Sequence, residues 1–148
     1  MPIEEVATDR VRLDALSPAN RRAYGDSWFN DFGKQPLVED PGGYIAPPLD
    51  GIWASAPYFH NGSVPTLAHV LNSEQRPAVW LRTVQGYDRQ QVGLEAKSFA
   101  DLPKDLTSSE RRRYFDTRAN GKSRAGHTFP DKLSPADKLA LLEYLKTL

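Results

Sequence analysis

The 148-residue chain contains no cysteine. Disulfides, thiolate metal sites, cysteine nucleophiles and thioether-linked prosthetic groups are therefore excluded within it. Lysine plus arginine and aspartate plus glutamate number 19 each, so the formal net charge is zero. Because no net positive field draws the chain to nucleic acid or to an anionic membrane surface, we expect neither as a partner.

Long apolar runs are also missing. The first residues, MPIEEVATDR, are acidic and polar, which does not match a signal peptide or a membrane anchor. No other stretch approaches the roughly 18 apolar residues of a membrane-spanning helix. A phosphate-binding glycine loop is absent too, which argues against a nucleotide enzyme. The sequence predicts no membrane span, and its length predicts a single domain, residues 1–148.

Proline and glycine are plentiful, with 12 and 10 residues. Residues 44–71, YIAPPLDGIWASAPYFHNGSVPTLAHVL, form the most informative stretch. Pro47-Pro48 fixes φ twice and removes two backbone donors, which excludes a central strand or a helix interior. The aromatic residues that follow are too apolar to cluster in solvent. We therefore expect an ordered, irregular loop that packs against something large, flat and apolar.

Elsewhere, helices are predicted where a capping residue precedes apolar residues at helical spacing. Residues 6–16 are predicted to be an extended lead-in. Residues 30–43 are predicted to form a surface loop, and residues 78–84 a short strand or an extended arm. The expected fold class is mainly α, with short helices joined by long ordered loops and little or no strand. The predicted helices span about residues 18–28, from 63 or 66 to 73, 107–115 and 135–147. Their expected caps are Ser17, then Ser63 or Thr66, then a capping box of Thr107 with Glu110, and Ser134. The last helix has a predicted apolar stripe of Leu139, Leu142 and Leu145.

Three histidines are the candidate ligands. His127 is the best of them from its context, because Gly126 allows the backbone to approach something bulky and the loop can aim an imidazole into a pocket. His60 and His69 are more simply structural residues. Zinc bound by all three is an alternative, although no HExxH spacing supports it.

Two further alternatives are open at this point. A Ser63-His60-Asp50 hydrolase triad can be drawn, but no nucleophile elbow accompanies it. Arginines 76, 82 and 124 can each bind a carboxylate bidentately or lie on the surface.

The block PLDGIWASAPYFHNGSVPTL, residues 48–67, resembles the multi-haem c-type cytochromes related to di-haem cytochrome c peroxidase, and especially their rubber-oxygenase branch. The likeness continues through Phe115-Asp116-Thr117, Asn120-Gly121, Gly126-His127 and the closing LS…LLEYLK helix, and so covers most of the chain from Glu5. It implies a C-terminal cytochrome-c-like domain, in which short helices and loops enclose a haem.

The resemblance also implies roles for individual residues. In the rubber-oxygenase branch the histidine of the Gly-His stretch is the distal axial ligand of the C-terminal haem, which makes His127 the expected iron ligand. Classical peroxidases use a methionine there, and Met1 is the only methionine in this chain. The expected haem-contacting residues are Trp53, Tyr58, Phe59, His60 and Phe129, with His60 ordering the loop near the haem edge rather than binding iron.

One departure from the family is large. The family attaches haem c through CxxCH, whose histidine is the proximal ligand, and this chain has no such motif. One interpretation is the C-terminal portion of a longer periplasmic or secreted protein, a peroxidase- or oxygenase-like oxidoreductase that is not active as this chain alone. Its partner is then an upstream haem-bearing segment or an electron-transfer protein. The alternative is a haem-free, degenerate binding or structural module.

Overall fold

The computed structural model describes residues 1–34 and 42–148; residues 35–41, within the predicted surface loop at 30–43, lie outside the described part. Within it, no helix is long and apolar enough to cross a membrane. The α-helices are α1 (Ile3–Val6), α2 (Val11–Ala15), α3 (Pro18–Gly25), α4 (Leu67–Leu71), α5 (Ser108–Arg111) and α6 (Pro135–Leu145). Short 3-10 helices occur at Trp28–Asn30, Ile52–Ala54, Ser73–Gln75 and Phe129–Lys132. The strands are β1 (Val79–Asp88), β2 (Gly93–Phe99) and β3 (Tyr114–Asp116).

The prediction of a mainly α fold with little or no strand is wrong. The three strands form one antiparallel sheet in the order β2-β1-β3. The strand allowed at residues 78–84 is present within β1, whose β-branched and aromatic residues favour an extended backbone. Strand β2 was missed because its apolar residues are few, and Glu95 and Lys97 occupy exposed positions of the alternating pattern.

The β1–β2 turn is built from local polar contacts. The carboxylate of Asp88 accepts hydrogen bonds from the backbone N–H groups of Gln90 and Gln91, at 2.9 and 2.8 Å. The turn also contacts α4, because the carbonyl oxygen of Val92 accepts from the N–H of Leu67 at 2.8 Å. The hairpin thereby satisfies one of the free N–H groups at the start of that helix.

The helix predicted at residues 107–115 is shorter than expected. The capping box between Thr107 and Glu110 is confirmed, but α5 ends at Arg111. The residues that follow form β3, in which Phe115 pairs with Trp80 of β1 and their rings stack at 5.1 Å. Pairing with a distant strand therefore overrides the local helical pattern.

The N-terminal region also differs from expectation. Residues 6–16, predicted as an extended lead-in, contain the end of α1 and all of α2. In α1, Ile3 and Val6 are buried at the helical spacing i, i+3, and in α2 the buried residue is Leu13. Helix α3 begins at Pro18 as predicted, with the Ser17 hydroxyl accepting from the N–H of Asn20.

Helix α6 is confirmed, with Ser134 as its N-cap. Of the predicted apolar stripe, Leu142 and Leu145 are buried, whereas Leu139 is 61% exposed. The buried core joins α6 to α4, the 44–71 loop and the hairpin turn. Its members are Tyr58, Val64, Leu67, Leu71, Val92, Leu142 and Leu145. The stretch of residues 44–71 is therefore held in place by packing against both α6 and the hairpin turn.

Candidate cofactor site

The loop at residues 58–64 is a tight structure closed by its own backbone. The N–H of Tyr58 donates to the carbonyl of Val64 at 2.7 Å, and the two residues form an isolated β-bridge. Between them, Phe59 and Gly62 have positive φ, at 69° and 70°. The Asn61 side-chain oxygen accepts from the Ser63 N–H at 3.1 Å. His60 therefore lies at the tip of a loop whose backbone is fixed.

This loop forms one wall of a cavity of about 670 Å³. The other walls come from the N-terminal segment, residues 44–57, α4 and α6. Most of the lining is apolar, including Val6, Ile45, Pro47, Leu49, Ile52, Pro57, Leu67, Val70, Leu141 and Leu145. The aromatic and polar lining residues include Arg12, Tyr44, Tyr58, Phe59, His60 and His127. Its size and character are those of a small-molecule site.

His127 is held at the cavity by unusual backbone geometry. Its φ is 51°, and its N–H donates to the carbonyl of Val6 at 2.8 Å. The preceding residue, Gly126, has φ 78° and lies so close to Ala7 that an added Cβ would be 2.7 Å from the Ala7 carbonyl carbon. Only glycine fits this combination of φ and close approach.

The imidazole of His127 is neutral and has a free nitrogen. Burial, with the nearby His60 and Arg76, lowers the pKa of His127 to about 4. Its Nε2 is buried and has no hydrogen-bond partner among residues 1–34 and 42–148, and its ring stacks on Phe59 with the centroids 4.2 Å apart. A neutral imidazole nitrogen that no protein group engages is chemically suited to bind a metal.

His60 lies on the same cavity, with its side chain only 9% exposed. Its ring stacks on Tyr44 at 4.4 Å, and neither ring nitrogen has a hydrogen-bond partner within the described part of the chain. Burial is the largest cause that lowers the pKa of His60, and the nearby Asp9 opposes it. The backbone carbonyl of His60 accepts from Arg12, which closes the loop against α2.

Asp9 is a site residue that the sequence did not reveal. Its Oδ2 accepts from the Asn61 side-chain amide at 3.2 Å and from the Ser123 N–H at 3.1 Å. Its Oδ1 lies 3.9 Å from Nε2 of His60. Nothing in the local sequence marks Asp9, because its partners are more than 50 residues away along the chain.

Arg76, expected either to bind a carboxylate or to lie on the surface, is instead a guanidinium buried to 3% exposure. It also lies over the ring of Phe59, 4.8 Å from the centroid. Because its donors are fully used, Arg76 has none left for a carboxylate of a ligand. The five hydrogen bonds run from Nε to His69 O, from Nη1 to Arg124 O and Gly126 O, and from Nη2 to Val70 O and His127 O, at 2.7–3.2 Å.

The structure brings together four of the six residues predicted for the site: Tyr58, Phe59, His60 and His127 line one cavity. Trp53 and Phe129 are not among its lining residues and are 44% and 48% exposed. The Trp53 carbonyl instead accepts from the Tyr87 hydroxyl.

The structure does not support the alternative zinc site or the alternative hydrolase triad. His69 is engaged by Thr66, whose hydroxyl lies 2.6 Å from its Nδ1. The Ser63 hydroxyl is fully buried and makes no hydrogen bond to His60, so a nucleophile and base are not paired. Among residues 1–34 and 42–148, no group of three or more His, Cys, Asp or Glu could hold a metal ion. A haem iron takes at most two protein ligands.

Comparison with known proteins identifies the central part of the chain. Residues 43–81 match the family model described as RoxA-like, cytochrome c-like. This segment, about a quarter of the chain, is therefore similar to RoxA-like, cytochrome c-like domains. It includes the closed loop around His60, most of the cavity wall and Arg76, whereas His127 and Asp9 lie outside the matched residues. The RoxA-like segment thus supplies the scaffold, and both flanking regions complete the cavity.

Two proteins of Sinorhizobium fredii are also similar to the chain, and both are named as uncharacterized. Protein y4iJ is 38% identical over 125 residues, which covers 78% of this chain and 19% of that protein. Protein y4iM is 40% identical over 123 residues, which covers 71% of this chain and 27% of that protein. The chain therefore spans about a fifth to a quarter of the length of these relatives.

Proposed function

We propose that the chain is the distal part of a haem-binding, electron-transfer domain, with the haem in the 670 Å³ cavity and His127 as an axial ligand. The observation that carries this proposal is the buried Nε2 of His127, which has no partner in a cavity with mainly apolar walls. The cytochrome c-like family of residues 43–81 supports the choice of haem over other flat cofactors.

The residues present fit a haem by size and by chemistry. Cofactor pockets typically measure about 300–1,000 Å³, and imidazole is a common axial ligand of haem iron. Buried polar atoms without partners are rare in native proteins, so His127 Nε2 needs an explanation. A metal bond supplies one.

The chain's own residues prepare this site in three ways. Arg76 and the carbonyl of Val6 fix the His127 backbone. Burial keeps the imidazole unprotonated at neutral pH, so the nitrogen lone pair is available. The mainly apolar walls suit the apolar faces of a porphyrin. When bound, the haem supplies one-electron transfer.

The remaining parts of the function lie outside this chain. Without cysteine it forms no thioether bond to haem c, so any covalent attachment would belong to an upstream haem-bearing segment of a longer parent protein. We place that parent among the peroxidase- or oxygenase-like oxidoreductases of the periplasm, with an electron-transfer protein as its partner. Cytochrome c-like proteins are typically extracytoplasmic, which supports this location.

Haemin binding by the chain tests the proposal. The variant His127→Asn removes the imidazole, and asparagine tolerates the left-handed backbone at this position. We expect it to weaken haemin binding at least about tenfold, since losing metal-site residues costs this much or more. His69→Asn is the matched control, because His69 does not line the cavity. Equal haemin titration curves for the two variants would refute the role of His127.

A second candidate is a haem-free binding module, which the complete absence of cysteine favours. It uses the same cavity for a flat apolar molecule that needs no iron ligand. Metal-free protoporphyrin IX distinguishes the two candidates. Binding of that compound as tight as haemin, unchanged in His127→Asn, would support the module without iron.

A further inference from the structure

The two cavity histidines are spaced as a ligand pair. The ring centroids of His60 and His127 lie 6.3 Å apart, with their planes at 36°. Two imidazoles that bind one metal ion on opposite sides, each at about 2 Å, place their centroids roughly 6 Å apart. The observed spacing matches this arrangement, although the rings are contributed by residues 67 positions apart in the sequence.

The nitrogens of both rings are free to bind. Nδ1 and Nε2 of His60 and Nε2 of His127 are all buried and have no hydrogen-bond partner among the residues that the structure describes. Three such atoms in one cavity are costly for a folded protein unless something else engages them.

Asp9 adds an independent signal. Histidines that bind metals usually direct their second ring nitrogen towards a carboxylate, which fixes the ring and raises its basicity. Asp9 Oδ1 lies 3.9 Å from His60 Nε2 and has no other partner. Asn61 and Ser123 meanwhile hold the other oxygen of the same carboxylate. Since Nε2 faces Asp9, this arrangement leaves Nδ1 of His60 for a metal.

Aromatic rings keep both imidazoles in place. Tyr44 stacks on His60 at 4.4 Å and 19°, and Phe59 stacks on His127 at 4.2 Å and 21°. Face-to-face contact restricts each ring while its edge, which carries the nitrogens, is not stacked. Ligands restrained in this way lose little conformational freedom when they bind.

We infer that His60 is the second axial ligand, so that this chain binds an iron porphyrin non-covalently through two histidines of its own. His60 then takes the place of the histidine that a CxxCH segment would supply. The inference rests on the proposed function, because it requires the haem in the same cavity. It differs from that function in needing no upstream segment for the ligand set.

Spectroscopy of the 148-residue chain with one equivalent of haemin tests the inference. We expect the absorption and electron paramagnetic resonance spectra of a low-spin, six-coordinate ferric haem without any added imidazole. His60→Gly should convert the spectra to high spin, and added imidazole should restore low spin. His69→Gly, matched in the residue removed, should leave the wild-type spectra unchanged. If His60→Gly does not fold, His60→Gln serves in its place.

The outcomes separate this inference from the proposed function. Haemin binding that depends on His127 but gives a high-spin wild-type spectrum, or one unaffected by His60→Gly, overturns the inference alone. Haemin binding that does not depend on His127 overturns the proposed function. Binding of bare Zn²⁺ that requires both histidines, with no binding of haemin, overturns the porphyrin part of both.

Discussion

Replacing Arg76 with methionine should destabilise the protein severely. The guanidinium donates five hydrogen bonds to carbonyl oxygens of two segments, α4 and residues 124–127. A hydrogen bond involving a charged group contributes about 1.5–3 kcal/mol, while burying the charge costs several kcal/mol. Five such bonds contribute about 7.5–15 kcal/mol, which exceeds the several kcal/mol that burial of the charge costs. Because the carbonyls would remain buried without a donor, we expect the free energy of unfolding to fall by at least about 3 kcal/mol.

Urea denaturation followed by tryptophan fluorescence measures this loss. Arg82→Met is the matched control, because Arg82 is exposed on β1 and its replacement should change the free energy by less than about 0.5 kcal/mol. Arg76→Lys should recover little, since an ammonium has three donors and cannot reach five acceptors. A loss below about 1 kcal/mol in Arg76→Met would show that the hydrogen-bond count overstates the role of Arg76.

Three other perturbations have defined outcomes. Gly126→Ala should lower the melting temperature far more than Gly51→Ala. Both glycines have positive φ, but an added Cβ at Gly51 meets nothing within 4 Å, whereas at Gly126 it meets backbone atoms. Equal shifts in melting temperature would rule out the close approach at Gly126. Tyr58→Phe should cost about 1 kcal/mol in urea denaturation through its lost bond to the Ile52 carbonyl, and an unchanged midpoint would exclude that contribution. The stability of the unliganded protein should fall as pH drops from about 6.5 to about 4, because the unfolded chain then binds a proton that folded His127 does not. His127→Asn should weaken this dependence. If the stability of the variant and of the wild type had the same pH profile, the neutral buried imidazole would be contradicted.

Local signals in the sequence predicted local structure well. The caps at Ser17, Thr107 and Ser134 each accept the expected backbone hydrogen bond. A capping side chain and the backbone N–H that donates to it lie within three residues of each other, so the sequence contains all the information needed. The length of α5 was not predictable in this way, since pairing of Phe115 with Trp80 decides where the extended segment begins.

The candidate site likewise combines residues that local sequence signals predict with residues whose roles only the folded chain reveals. The motif around His60 and the Gly126-His127 pair stand out in the sequence because proline fixes φ locally and glycine permits positive φ. The roles of Asp9 and Arg76 do not, because their contacts cross about 50 residues or more of chain. A charged residue looks like a surface residue in sequence, and only the folded chain shows that Arg76 is buried.

The position of the iron tests the central claim most directly. Crystals of the chain grown with haemin allow anomalous diffraction at the iron absorption edge, which locates the metal without assumptions about the porphyrin. The account predicts one anomalous peak in the cavity, about 2 Å from Nε2 of His127. A peak elsewhere, or haem bound in this cavity with its iron away from His127, would contradict it.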